Sequence, residues 1–256
     1  MAIEYRIILD EIREFNYRIE LERDDDQKSL AAAPKWTRLD YQQCSNCPLS
    51  KDKFSHCPAA IDLYQVIEDF KGLPAIKKAK VEVHTPQRDY SKQVSLEEGL
   101  RSLLGLIMAS SSCPVLGRLR PMAEQHLPFA SNQEFTLRAI SLYLAGQYFN
   151  LREGRSCDWE LKGLVETFQQ LQLVNQAFWQ RIHDTCAGDS NLKALLTFFS
   201  MSSGMSFMLE VQLQKIRPLL MGASSTPWRQ ANRLLKHSLG CRYRVKNSLK
   251  MRIYVM

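Results

Sequence analysis

Ile3-Glu4-Tyr5-Arg6-Ile7-Ile8-Leu9 and, after Asp10-Glu11, Phe15-Asn16-Tyr17-Arg18-Ile19-Glu20-Leu21 decide the N-terminal part of the fold. Tyr5, Ile7 and Leu9 point one way, and Phe15, Tyr17, Ile19 and Leu21 repeat the alternation. A period of two in β-branched and aromatic residues predicts the two strands of a hairpin. No Asn-Gly or Asp-Gly pair marks the turn, so its position is loose. Asp24-Asp25-Asp26 ends the second strand, residues 29–34 form a linker, and Trp36-Thr37-Arg38-Leu39 reads as a short third strand. Residues 40–57 are a loop holding three cysteines. Lys80-Val81-Glu82-Val83-His84-Thr85 alternates again and predicts a strand that rejoins the hairpin.

Between loop and strand, Ile61, Tyr64, Ile67 and Phe70 form a helical stripe over residues 58–70, with Gly72 where a C-cap belongs. From Ser95 the period is helical throughout. Ser95-Leu96-Glu97-Glu98 is a capping box before Leu96, Leu100, Leu103, Leu104, Ile107 and Met108. Pro114 opens a short helix to about His126. Ser131-Asn132-Gln133-Glu134 is a second capping box, before Phe135, Ala139, Ile140, Tyr143 and Leu144. Residues 158–186 carry the longest pattern. Residues 192–216 form a last helix, weakened at Ser202-Ser203-Gly204 and stopped by Pro218. The expected fold is α+β: a small N-terminal antiparallel sheet of about three strands with a Cys-bearing loop, then a helical bundle. The expected divisions are a β-rich part (1–94), a bundle (95–217) and a basic tail (218–256).

The chain has 256 residues, 45% of them hydrophobic and 24% charged, and a formal charge of +7. These values exclude collagen, a wholly disordered chain and a small disulfide scaffold. No apolar run approaches the ~20 residues that span a bilayer. The start, Met-Ala-Ile-Glu-Tyr-Arg, has neither the basic segment nor the apolar core of a signal peptide, so a cytoplasmic protein without a membrane is expected. The positive charge is local. Residues 211–256 contain ten Lys/Arg and no Asp or Glu; without those ten, 24 basic residues face 27 acidic ones, a net of −3. The tail reads as a solvated or disordered extension, or as sequence from another reading frame. Nucleic-acid binding through its cations is the alternative.

Cys44-Ser45-Asn46-Cys47-Pro48-Leu49, His56-Cys57-Pro58 and Cys113-Pro114 carry the chemistry. A two-residue gap lets two thiolates turn toward one ion, and four sulfurs complete a tetrahedral site. Cys44, Cys47, Cys57 and Cys113 are therefore the candidate metal ligands, with His126 and His84 as alternative fourth donors. Pro after Cys57 and after Cys113 places both sulfurs at helix N-caps, where the positive end of the helix favours thiolate. Zinc is the first choice, because a loop with few core residues gains most from a structural ion. An iron–sulfur cluster is the rival. Buried thiols that merely pack are the plain alternative.

His126, just before the second capping box, is expected to satisfy carbonyls at its helix end. Asn175 and Gln147 lie on apolar stripes, where a buried amide fixes register or pairs with a neighbour. Nucleotide-binding, nucleophile-elbow and metalloprotease motifs are absent, as are the Glu-x-x-His pairs of di-iron bundles.

Trp36-Thr37-Arg38-Leu39, Cys44-x-x-Cys47-Pro48-Leu49, Cys57-Pro58-Ala59-Ala60, Thr85-Pro86-Gln87-Arg88-Asp89-Tyr90, Ser112-Cys113-Pro114, Pro121-Met122 and His126-Leu127-Pro128-Phe129 occur as a set. In these motifs, over about residues 36–190, the chain resembles a family of uncharacterised bacterial proteins. The resemblance implies a bacterial cytoplasmic setting and carries no catalytic roles. The expected function is a metal-stabilised, Cys-ligated, non-enzymatic binding or regulatory module with a protein or small-molecule partner. An iron–sulfur or thiol redox enzyme is the alternative.

Overall fold

A computed structural model describes residues 1–22, 33–185, 193–194 and 209–221. The acidic run 24–26, the linker before Ala33, Cys186, the Ser202-Ser203-Gly204 break and the tail beyond Met221 lie outside the described residues. The chain divides into two compact units, Met1–Leu213 and Gln214–Met256.

The hairpin forms as its alternation predicts. Strands β1 (Ala2–Ile8) and β2 (Glu14–Glu20) pair antiparallel, with Ile3 opposite Ile19, Tyr5 opposite Tyr17 and Ile7 opposite Phe15. Asp10 fixes the turn in place of an Asn-Gly pair. Its Oδ1 accepts from the amides of Ile12 (3.3 Å) and Arg13 (2.9 Å), an Asx turn that replaces missing backbone partners.

The sheet has four strands rather than about three, in the order β2-β1-β3-β4. β3 (Lys78–His84) rejoins β1 as expected, and β4 (Asp89–Ser95) pairs with it at the edge. Trp36-Thr37-Arg38-Leu39 is not a strand. Residues Lys35–Thr37 make a 3-10 turn whose amides bond back to Pro34 and Lys35, leaving one isolated bridge from Arg38 to His56.

One face of the sheet is apolar and packed. Phe15 and Tyr17 of β2 stack on Phe70, the last residue of helix α1 (Pro58–Phe70), with ring centroids 4.6 and 6.3 Å apart. Helix α2 (Leu96–Ser110) crosses the same sheet close enough that a Cβ at Gly99 would stand 2.9 Å from Val81 Cγ2. The opposite face carries cross-strand ion pairs, Arg6 with Glu14 and Glu82, and Arg18 with Glu4. Leu100, Leu103, Leu104, Ile107 and Met108 of α2 are fully buried and form the centre of the core.

Helices α3 (Arg120–Glu124), α4 (Asn132–Arg152) and α5 (Lys162–His183) follow. The capping box at Ser131 is complete: Ser131 Oγ accepts from Glu134 N, and Glu134 Oε2 accepts from Ser131 N at 2.8 Å. The box at Ser95 is half made, because the Glu98 carboxylate pairs instead with Lys92. Gly72, at φ +83°, follows the α1 C-cap in the left-handed conformation that glycine tolerates. Pro218 does not stop the last helix, α6 (Leu209–Met221). It sits in the final turn, where the lost amide costs one hydrogen bond. The architecture is α+β: an antiparallel sheet followed by helices.

Candidate metal centre

Three segments bring the four predicted thiols toward one place. The loop of residues 38–56 is closed at its neck by Leu39 N to Ser55 O (3.0 Å) and Cys57 N to Thr37 O (2.8 Å). Inside it, Cys47 N donates to Cys44 O at 3.0 Å, so the Cys-x-x-Cys segment is a tight turn. Cys57 is the N-cap of α1, with Pro58 at the first helical position, as the Cys-Pro pair predicts. Cys113 follows α2 and is not the helix N-cap that the Cys-Pro pair predicts: the next helical turn, Leu116–Leu119, is 3-10 with Val115 as its N-cap, and Cys113 O accepts from Gly117 N at 2.8 Å. Cys57 and Cys113 are buried, while Cys44 and Cys47 are half-buried; all four are free thiols.

The thiols lie within one another's electric field. Cys44 feels Cys57, Cys113 and Cys47; Cys57 feels Cys113; and Cys113 feels Cys47. Burial pushes the Cys44 thiol up to about 12 and the Cys57 thiol to about 11, and it raises Cys113 as well. The amides of Ala59 and Ala60 at Cys57, and of Val115 and Leu116 at Cys113, act the other way. The expectation that helix N-caps make these sulfurs thiolates is thus corrected. Desolvation outweighs the local amides at Cys57 and Cys113, and without a cation Cys44, Cys57 and Cys113 are protonated.

The donor set is thiophilic, but its spacing is open. Among the described residues, no three His, Cys, Asp or Glu side chains form a group that could hold a metal ion. The two alternative histidines are engaged elsewhere. His84 Nδ1 meets Asp89 Oδ1 at 2.9 Å, and His126 Nε2 meets Tyr5 Oη at 2.5 Å. His126 therefore does not cap helix carbonyls as expected; its partner is Tyr5, at the centre of β1. Burial pushes its pKa down to about 3, so the imidazole is neutral.

Sequence reasoning missed Arg181. It is 0% exposed on α5. Its Nη1 donates to Trp36 O (2.7 Å) and Arg38 O (2.8 Å), and its Nη2 to Leu39 O (3.3 Å). Its Nε has no partner, and among the described residues no carboxylate stands within ion-pair distance. The ionisable groups that feel its charge include Cys44 and Cys57, both drawn toward thiolate. A fully buried guanidinium held only by carbonyls is costly unless a negative charge is near. A basic residue on the apolar face of an otherwise regular helix was the available signal. Asn46, inside the Cys-x-x-Cys turn, adds a second tie to α5, its Nδ2 donating to Gln170 O and Oε1 at 2.9 Å each.

The two stripe amides diverge. Gln147 Oε1 accepts from Asp158 N at 2.9 Å, the pairing expected of a buried amide. Asn175 is 2% exposed, and neither of its amide atoms has a partner.

No helix among the described residues is long and apolar enough to cross a membrane. No curated protein and no solved structure matches the chain. One family match spans residues 3–220, wider than the stretch 36–190 on which the resemblance rests. The chain belongs to that family, a domain of unknown function, DUF6901.

Proposed function

We propose that the chain is a non-enzymatic binding or regulatory module in which a thiolate-held metal ion, zinc by preference, ties the Cys loop to the helical body. Cys44, Cys47, Cys57 and Cys113 are its ligands. The observation that supports this reading is Arg181: a buried positive charge with no acidic partner among the described residues, whose field reaches Cys44 and Cys57. Four thiolates around a divalent zinc carry two excess negative charges, and one guanidinium beside them offsets half of that excess. The backbone amides near Cys57 and Cys113 favour the anionic form of both sulfurs, the direction that ligation requires. Ligation requires the Cys44–Cys47 turn to close on Cys57 and Cys113. Both turn sulfurs sit in a half-buried loop rather than in the packed core.

Cys47→Ser tests it. The change removes one ligand from a half-buried site and costs little packing. Cys157→Ser is the control, since Cys157 lies outside the four candidate ligands and its Sγ donates to the carbonyls of Gln147 and Arg155. Loss of a structural ligand is expected to cost several kcal/mol, and at about 2–4 °C per kcal/mol to lower the melting temperature by about 10 °C or more. A melting temperature no lower than that of the Cys157→Ser control would overturn the proposal.

A further inference from the structure

The far end of the sheet holds a second candidate site that needs no metal. A cleft of about 480 Å³ lies between the β3–β4 turn, the start of β1, the segment after α3 and one face of α4. That volume falls in the range of small-molecule sites, about 300–1,000 Å³.

Its charges are unevenly partnered. Glu134 is turned into its capping box, where Oε2 accepts from both the amide and the hydroxyl of Ser131 at 2.8 Å. Glu124 pairs with Arg120 at 3.7 Å. Both carboxylates on the cleft wall are thus engaged. Among the described residues, the two guanidinium groups on the same wall have no carboxylate at hydrogen-bond distance, although Arg138 lies within the field of Glu134. Arg138 donates from Nη1 to Gln125 O at 3.3 Å, while its Nε is buried and has no hydrogen-bond partner. Arg88 uses its backbone to close the Thr85 turn, and no side-chain bond or ion pair holds its guanidinium. Neither arginine has a carboxylate within ion-pair distance among the described residues.

Around them the wall is apolar. Ile3, Leu127, Leu137 and Leu142 line the same cleft. Behind Arg138 and His126, a smaller cavity of about 60 Å³ is floored by Leu106, Met122 and Phe135. Arg138 is positioned from two sides: α4 presents it, and the chain of Ser102 Oγ, Tyr5 Oη and His126 Nε2 (2.7 and 2.5 Å) fixes the neutral imidazole beside it. A neutral histidine there leaves half-buried Arg138 as a cation of that wall.

We infer that this cleft binds a small organic oxyanion, a carboxylate or a phosphate monoester, whose charged group bridges Arg138 and Arg88 and whose apolar body lies on Leu127, Leu137 and Leu142. A guanidinium fork with free N–H donors in a partly desolvated wall is the chemistry that selects planar or tetrahedral oxyanions over neutral solutes. The proposal is independent of the thiols and stands if they hold no metal.

The full-length protein, labelled with 15N, is titrated with benzoate, phenyl phosphate and neutral benzyl alcohol, following the Arg138 Nε–H signal. A saturable shift with an anion and none with the alcohol is expected. Tighter binding of phenyl phosphate assigns a phosphate ligand, and tighter binding of benzoate a carboxylate. Arg88→Gln, at an exposed position that does not threaten folding, should raise the dissociation constant about tenfold, and Arg138→Gln, followed through the backbone amide signals of Leu137 and Leu142, should abolish the response. No saturable shift with either anion at millimolar concentration, or equal affinity in Arg88→Gln, overturns the inference.

Discussion

Arg181→Met, measured with and without zinc, reads the coupling between the buried cation and the cysteines. Methionine fills a similar volume and removes the charge and the donors together. The loss leaves Trp36 O and Arg38 O without their 2.7 and 2.8 Å partners, and Leu39 O without a longer one at 3.3 Å. An unsatisfied buried carbonyl costs about 1–3 kcal/mol, and removing the desolvated guanidinium returns part of that, so the metal-free protein should lose about 2 kcal/mol. At about 2–4 °C per kcal/mol, its melting temperature falls by about 4–8 °C. With zinc bound, the variant also loses the attraction between the guanidinium and an anionic tetrathiolate. A unit charge about 8 Å from a net charge of about −2 interacts by about 4 kcal/mol at an effective dielectric of about 20, so the drop should roughly triple. Thermal unfolding monitored by circular dichroism, in zinc and in chelator, gives both values. Arg181→Lys keeps the charge and loses the fork, and should restore the zinc-dependent part while leaving most of the zinc-independent part lost. Equal drops in zinc and chelator, or a variant more stable than wild type in zinc, would refute the electrostatic argument.

Other expectations follow from single sites. Ser131→Ala removes the side-chain half of the complete capping box, the Oγ that accepts from Glu134 N, and should cost about 1 kcal/mol, seen as a fall of about 2–4 °C; no measurable change would mean that the α4 terminus is held otherwise. Asn175→Leu replaces an amide with no partner by an apolar side chain of similar size and should raise stability by about 1 kcal/mol; a fall would show that a buried water or ligand satisfies the amide. His126, on the segment after α3, is held neutral by burial and secondarily by Arg138, with a pKa of about 3. The unfolded imidazole takes a proton near 6.5, so its contribution to stability is complete above that pH and is lost as the pH falls toward 3. The half-buried setting limits this to about 1 kcal/mol between pH 7 and 5. Comparison of the wild-type and His126→Gln melting profiles over that window checks it, and parallel profiles would contradict it.

What the sequence revealed and what it hid have physical reasons. β1, β2 and β3 announce themselves because each buries alternate apolar side chains against helices, so Ile3, Tyr5, Ile7, Val81 and Val83 mark the inner face. β4 was invisible in Tyr90-Ser91-Lys92-Gln93 because an edge strand with one buried residue, Val94, has no alternation to display, and polar edges are how sheets avoid pairing with other chains. Trp36 and Leu39 misled for the converse reason. They are buried by packing on a turn, and burial without an extended backbone has the same composition as a short strand. At the candidate metal centre, the Cys57-Pro58 pair correctly located the start of α1, because proline geometry is local, whereas Cys113-Pro114 stands ahead of a 3-10 turn capped at Val115. The protonation of those thiols was not legible, because desolvation depends on what packs around them. Arg181 and Arg138 were equally hidden. Their importance lies in lacking an acidic partner, and the partners a side chain lacks are set by the tertiary fold.

The central claim is that the four thiols hold a metal ion. Protein purified without oxygen, assayed for metal content and visible absorption on the same sample, tests it most directly. The account predicts about one zinc per chain and no colour, lost on replacing Cys44, Cys47, Cys57 or Cys113. Iron with sulfide and a band near 400 nm would keep the ligands and replace the structural ion with a redox cluster. No bound metal, with wild-type stability unchanged by chelator, would contradict the claim and leave Arg181 as a cation held by backbone carbonyls alone.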